Sequence, residues 1–214
     1  MARNNKHPLK CNYLSITEGD MKGVKVVSGC KKILFSVGIK AEKFAPVSAE
    51  QQMMLKQKYG FDPSKPLVIH VGHCSKGRGL EDFAKIHTAQ RMVVASGMFE
   101  DENVVRILNE ARVKIHKGYL ENVEEVYQMA DAYLFPTRSA EFVISIPLSV
   151  MEALSCGVPV IGYKSFENLN EITGSEGAIT LVDNAEQLDK VLPEVIKKKS
   201  DHSLLEKTGS WYEV

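Results

Sequence analysis

The chain has 214 residues, 44% hydrophobic and 25% charged, the balance of a soluble globular protein with one domain of ordinary size and trailing segments. Lysine plus arginine equals aspartate plus glutamate, 27 against 27. That equality leaves no global field for nucleic acid or anionic lipid.

Residues 1–31 show no clear period and are expected to form an irregular N-terminal segment. Lys32 to Val37 reads as a short strand, Ala41 to Phe44 as a turn, and Glu50 to Tyr59 as an amphipathic helix; Pro63 to Pro66 marks a boundary. The pattern then becomes regular. Strands are expected at Leu67 to Val71, Met92 to Ala95, Val113 to Ile115, Ala132 to Phe135, Val158 to Ile161 and Ala178 to Val182. Helices are expected between them, at about Leu80 to Thr88, Asn103 to Ala111 and Glu121 to Met129, then a short one around Glu152 that stops at Gly157, with Leu148, Met151, Leu154 and Ser155 at helical spacing, and a last long one over Ala185 to Lys198. Short apolar strands alternating with helices argue an α/β fold, a single doubly wound parallel sheet covered on both faces. Such a sheet binds ligands beyond the carboxyl ends of its strands.

Cys11, Cys30, Cys74 and Cys156 form no Cys-x-x-Cys pair and have no zinc spacing, so four free thiols of a reducing, cytoplasmic compartment are expected. Met1 to Lys10 is polar, unlike a secretory signal. The most apolar region, Phe142 to Tyr163, is broken by Pro147, Glu152 and Pro159 and is no transmembrane segment.

Three places carry candidate chemistry. The loop Gly72-His73-Cys74-Ser75-Lys76-Gly77-Arg78-Gly79-Leu80 follows a strand directly. Its glycines let backbone N–H groups approach an anion, and Lys76 and Arg78 add full charge, which suits a pyrophosphate. It is neither a Walker loop nor Gly-x-Gly-x-x-Gly, and a plain turn with solvated charges fits it as well. The second place is Glu152, a carboxylate in an otherwise apolar helix, which needs a partner to offset its desolvation. Ser149 and Glu152 have Ser-x-x-Glu capping-box spacing, so the partner is either a local backbone N–H or a ligand. The third is the run from Phe135 to Pro147, where Ser145 is placed to cap the Glu152 helix with Pro147 in its first turn. His70, inside an apolar strand, reads as a satisfied core histidine, and His116 as a surface residue.

The words Glu152-Ala-Leu-Ser-Cys156-Gly157-Val-Pro159-Val160 resemble the Glu-Ala-Met-Ala-Cys-Gly-x-Pro-Val block of family 4 glycosyltransferases, retaining enzymes built from two facing Rossmann-like domains, the GT-B fold. The resemblance implies that Glu152 receives the ribose hydroxyls of a sugar nucleotide. Val71-Gly72-His73 and Arg78-Gly79-Leu80 stand where the family has Val-Gly-Arg and Lys-Gly-Leu, whose charges grip the donor diphosphate. His73 for Arg is a departure, and it would make donor binding weaken above about pH 7. The family's Pro-Ser-x-x-Glu-Gly-Phe-Gly is only partly matched. Eight residues before Glu152 stands Ile144, and the nearest acid is Glu141, which would have to take the catalytic place of the first Glu. Ser145, Pro147, Leu148 and Ser149 at the helix N-terminus would face the diphosphate. Lys117-Gly118-Tyr119 stands where the family's Phe-x-Gly meets the nucleobase.

Ser36 to Phe44 resembles the family's hinge, and Ser210-Trp211 the opening of its last helix. The resemblance therefore divides the chain into residues 1–31, a nucleotide-sugar-binding domain over 32–202, and a shortened C-terminal helix segment over 203–214, together the C-terminal half of a GT-B architecture. It implies a UDP- or GDP-sugar as co-substrate, no other cofactor, no metal, and hexosyl transfer with retention. Arg78, with His73 and the helix N-terminus, would stabilise the departing diphosphate. An acceptor-binding N-terminal domain or separate subunit would be needed for activity. The alternatives are a non-catalytic sugar-nucleotide-binding module or regulatory subunit, favoured by Ile144 and the lost glycines, and more distantly a sugar-nucleotide epimerase of the same fold.

Overall fold

The computed structural model describes residues 7–35, 37–97, 100–172 and 177–204, with Glu18 and Glu171 by backbone alone. Ser36 of the hinge resemblance and Ser210-Trp211 lie outside the described residues. Six parallel strands form the main sheet: β3 (Leu67–Gly72), β4 (Gln90–Ala95), β5 (Lys114–Lys117), β6 (Ala132–Leu134), β7 (Val160–Tyr163) and β8 (Ile179–Val182). Their spatial order is β5-β4-β3-β6-β7-β8. The chain builds outward from β3 to β5, returns to lay β6 on the free side of β3, and builds outward again. The reversal between β3 and β6 is a topological switch point, and doubly wound sheets bind their ligands in the crevice outside the carboxyl ends of their strands at such a point.

Strand periodicity separates two cores. Leu67, Ile69, Met92, Tyr133 and Val160 face one side, against Val126 of α4 (Val123–Met129) and Val150 and Leu154 of α5 (Leu148–Ser155). Val68, Val93, Leu134 and Ile161 face the other, against Phe83, Leu108 of α3 (Glu102–Glu110) and Leu192 of α6 (Leu188–Ile196). Alternation with period two sends neighbouring residues to opposite faces, so both faces of this sheet are apolar and both are covered. The helix α2 (Ala49–Lys58) opens with a formed capping box, Ser48 with Gln51.

Five elements differ from the sequence reading. Within residues 1–31, Tyr13–Ser15 forms β1 and Glu18–Met21 forms α1, whose N-cap Thr17 accepts from the Asp20 amide. β1 pairs in parallel with β2 (Lys32–Leu34) as a separate two-stranded sheet. The α-helix expected from Leu80 to Thr88 is a 3-10 segment, Leu80–Lys85. Asp189 of α6 accepts from the amides of His87 and Thr88 and from the Thr88 hydroxyl, so those donors are withdrawn from any helical ladder. The last helix is also shorter, a 3-10 turn at Ala185–Gln187 followed by α6, which contains Pro193. Finally, α5 starts one residue after Pro147, which is its N-cap and not part of its first turn, and no side chain caps it.

Candidate functional site

The loop after β3 and the loop of residues 135–147 after β6 flank this switch point. The two touch directly. Gly77 and Gly79 have φ of 86° and 73°, in the left-handed region. A Cβ on Gly77 would lie 2.4 Å from the Phe142 ring, and one on Gly79 2.4 Å from the Pro136 carbonyl oxygen. Glycine is thus required there both by conformation and by the approach of the second loop.

A half-buried clamp fastens the second loop to the segment after the first. Arg138 donates from Nη2 to Asp82 Oδ2 at 2.6 Å, and Tyr163 of β7 donates its hydroxyl to the same oxygen at 2.6 Å. The Arg138 guanidinium lies 4.0 Å over the Tyr163 ring. Burial pushes the Asp82 carboxyl up, against the lowering influence of Tyr163 and Arg138. Removing one partner of a buried pair costs about 3–5 kcal/mol, less where one side chain reaches solvent, as Arg138 does. Arg138→Ala is therefore expected to lower stability by about 1–3 kcal/mol in denaturant unfolding.

Arg78 sits in the first loop, half-buried, with its Nη1 3.6 Å from where a Gly72 Cβ would stand. Desolvation lowers its pKa, yet a guanidinium stays charged. Among the described residues no carboxylate pairs with it, and its guanidinium makes no hydrogen bond. The site thus presents a half-buried, uncompensated cation beside a glycine. His73 is exposed, its ring packed on Gly97, and Lys76 is exposed.

On the other wall, the Ser149–Glu152 capping box does not form. With Pro147 as N-cap, Ser149 is the second helical residue and Glu152 the fifth, too far along to reach the cap amide. Their partners lie on other elements. Tyr133 of β6 donates its hydroxyl to Ser149 Oγ at 2.9 Å, and Tyr127 of α4 donates to Glu152 Oε2 at 2.7 Å. Burial raises the Glu152 pKa; the Tyr127 bond and Lys43 pull it down. Neither Glu152 oxygen is both buried and unpartnered, so Oε1 is left toward solvent. The Tyr133 hydroxyl also bonds the Val71 carbonyl oxygen at 3.2 Å, at the end of β3, so it links that strand to the start of α5. Its ring stacks between His70 and Tyr127, with centroids at 5.6 Å and 5.9 Å.

The remaining sequence candidates fall into separate places. Ser145 donates to Asp20 Oδ2 at 2.5 Å and does not cap α5. It and Ile144 line a groove of about 330 Å³ with Tyr13, Ser15 and Phe35 of the N-terminal layer. Glu141 is exposed, its amide donating to Ser139 Oγ. Lys117 pairs with Glu100 at 2.5 Å, Gly118 has φ 89°, and Tyr119 is 86% exposed. Gly72 and Arg78 thus stand together at the end of β3, Tyr133 ties that strand end to Ser149, and Pro147 and Leu148 open the helix on which Glu152 lies one turn further. Glu141, Ser145 and Lys117 hydrogen-bond elsewhere, to Ser139, Asp20 and Glu100. His116 is half-buried with Nε2 sealed from solvent and unpartnered. His70 is fully buried, but only its Nδ1 has a partner. Among the described residues no cluster of His, Cys, Asp or Glu has metal-ligand grouping.

The family described as "Glycosyl transferases group 1" matches residues 66–198, which span β3 to just beyond α6 and include the whole crevice. The chain belongs to this family. It is 28% identical over 138 residues to the sulfoquinovosyl transferase SQD2 of Arabidopsis thaliana, covering 62% of this chain and 26% of that protein. It is 30% identical over 118 residues to the N-acetyl-alpha-D-glucosaminyl L-malate synthase of Bacillus anthracis, covering 50% and 30%. The structure of Anabaena HepE in complex with UDP-glucose superposes with a TM-score of 0.69 at 16% identity, over 88% of this chain and 55% of that one. The group 1 chain thus has the fold of one half of a GT-B enzyme. It spans about half of that solved structure and under a third of the two relatives. No helix among the described residues is long and apolar enough to cross a membrane.

Proposed function

We propose that this chain is the donor-binding half of a retaining glycosyltransferase and holds a UDP- or GDP-sugar in the β3/β6 crevice. The observation that carries this reading is Arg78, a half-buried guanidinium beside Gly72 at the end of β3, with no carboxylate partner among the described residues. Arg78 would bind the diphosphate and Glu152, oriented by Tyr127, would accept from the ribose hydroxyls. Transfer breaks the bond between the sugar's anomeric carbon and the diphosphate oxygen, and the electron pair leaves with the nucleotide. Stabilisation of that charge is the part of catalysis this chain would supply. The acceptor hydroxyl attacks the same face of the sugar and loses its proton to the departing phosphate, on a surface supplied by another domain or subunit.

The reading is tested by calorimetric titration of UDP-glucose, GDP-mannose, UDP and GDP, followed by donor hydrolysis and transfer assays with and without candidate acceptor-binding chains. Binding by none of the four would refute it. Binding without turnover in any pairing would establish the second reading, a sugar-nucleotide-binding module without catalysis. Exposed Glu141 and Ile144, in place of the family's first Glu, favour that second reading. Glu141→Gln is expected to leave turnover within twofold if the residue stays where the structure places it; a larger loss would show that the loop refolds around the donor.

Tyr127→Phe removes the hydrogen bond that lowers the Glu152 pKa. The ionised carboxylate is the form that accepts from ribose hydroxyls, so the acid limb of the donor-affinity profile should move to higher pH in this variant. An acid limb that stays in place would separate Tyr127 from the donor site.

A further inference from the structure

His70 and Gly72 lie on the same face of β3, two residues apart. The imidazole runs along the strand so that its Nε2 would be 2.7 Å from a Cβ on Gly72, with Arg78 Nη1 3.6 Å from the same point. Both nitrogens therefore face the space that the missing side chain leaves.

The protonation of the ring follows from its partners. Nδ1 is 3.0 Å from the Leu134 carbonyl oxygen, which only accepts, so Nδ1 carries the hydrogen. Nε2 is then a bare lone pair, fully buried and without a partner. Burial, the Leu134 bond and the nearby Arg78 together bring the pKa to about 4, burial dominating and Arg78 acting in the same direction, so the ring is neutral near pH 7. An unpartnered buried acceptor is uncommon, because it forfeits a hydrogen bond it had in water.

We infer that His70 Nε2 and Arg78 Nη1 form a hydroxyl subsite over Gly72 that takes one hydroxyl group of the donor's sugar. This rests on the donor reading above. A hydroxyl donates one hydrogen bond and accepts others, and the two nitrogens supply one acceptor and one donor. An ionised phosphate oxygen only accepts, and would meet the Nε2 lone pair without a proton to offer. The subsite therefore selects the sugar over the diphosphate, while the other Arg78 N–H groups remain for the phosphates. The Arg78 side chain, held by no carboxylate, is the group that swings to admit the hydroxyl.

The experiment compares UDP-glucose with UDP, or GDP-mannose with GDP if the parent prefers guanosine, in the parent and in His70→Phe and His70→Gln. His70→Phe should leave nucleoside diphosphate affinity within twofold and reduce sugar-nucleotide affinity about tenfold, the loss of one hydrogen bond to a neutral group. His70→Gln, whose amide oxygen accepts, should lose less. In the parent, the His70 Nε2 nitrogen resonance should shift on adding the sugar nucleotide and not on adding the diphosphate, a readout that needs no variant to fold. Equal losses for both ligands, unchanged affinities, or a resonance that ignores the sugar would overturn the subsite while leaving the donor reading intact. A parent that binds no nucleotide would overturn both.

Discussion

Arg78→Ala is expected to reduce sugar-nucleotide affinity and any associated turnover about 100-fold. The argument is electrostatic. A half-buried cation makes hydrogen bonds to an ionised phosphate that are worth about 1.5–3 kcal/mol each, and a fork can make two. The cost of holding that cation is already met in the free chain, because no carboxylate neutralises it among the described residues. Nothing need be broken when the diphosphate arrives. The same change should leave stability nearly unchanged, since Arg78 makes no side-chain hydrogen bond in the free fold. Arg78→Lys keeps the charge but replaces the fork with a point donor, so it should fall within about tenfold of the parent. A loss of binding that follows a loss of folding, or a lysine variant as poor as alanine, would deny Arg78 this role. Salt should weaken parent binding more than that of Arg78→Ala.

The second large effect concerns Glu152, where function and stability should move in opposite directions. Burial holds its carboxyl above the ordinary carboxylate range despite the Tyr127 bond. A raised folded-state pKa contributes stability that is fully present below the unfolded value and is lost as pH rises through the folded one. At neutral pH the ionised group is therefore a net strain on the free fold. Glu152→Gln keeps an oxygen for the Tyr127 hydroxyl and removes the charge, so the free variant should be at least as stable as the parent above about pH 6, where a free carboxyl is ionised. Its nucleotide affinity should nevertheless drop about 10- to 100-fold, because a neutral amide accepts more weakly and cannot serve two ribose hydroxyls. Titration with 2′-deoxy-UDP localises the effect. The parent should prefer UDP, and the variant should lose most of that preference. A destabilised variant that binds UDP normally would mark Glu152 as a structural residue.

The sheet was legible because its signal is local. Leu67 to Val71 and Met92 to Ala95 are apolar throughout, which only a strand buried on both faces requires, and the order of elements then implies parallel pairing. β1 was not legible. Three residues, one of them the exposed Leu14, carry no period, and the pairing with β2 joins positions about twenty residues apart. The 3-10 segment after Gly79 was misread as an α-helix because the group that ends it, Asp189, lies about a hundred residues downstream. Its shortness also reduces the positive helix end that the glycine loop was expected to offer.

At the site, Gly72, Arg78 and Glu152 could be named from the words around them. Their surroundings could not. The Tyr127–Glu152 bond depends on how α4 packs against α5, and the Arg138–Asp82 pair on two loops meeting across the sheet. Tyr127 and Tyr133 read as ordinary members of apolar elements, with nothing to show that their hydroxyls turn inward. The capping-box spacing of Ser149 and Glu152 was genuine, but its meaning depends on where the helix begins, and Pro147 sets that start two residues too early.

The central claim is that Arg78 and Glu152 face one nucleoside diphosphate from opposite walls of the crevice. A double-mutant cycle measures it directly: calorimetric titration of UDP or GDP into the parent, Arg78→Ala, Glu152→Gln and the double variant. The account predicts one site per chain, a loss in each single variant and an approximately additive loss in the double, because the two side chains hold different parts of one ligand and do not touch each other. Affinity unchanged in either single variant, with all four chains folded, would contradict it.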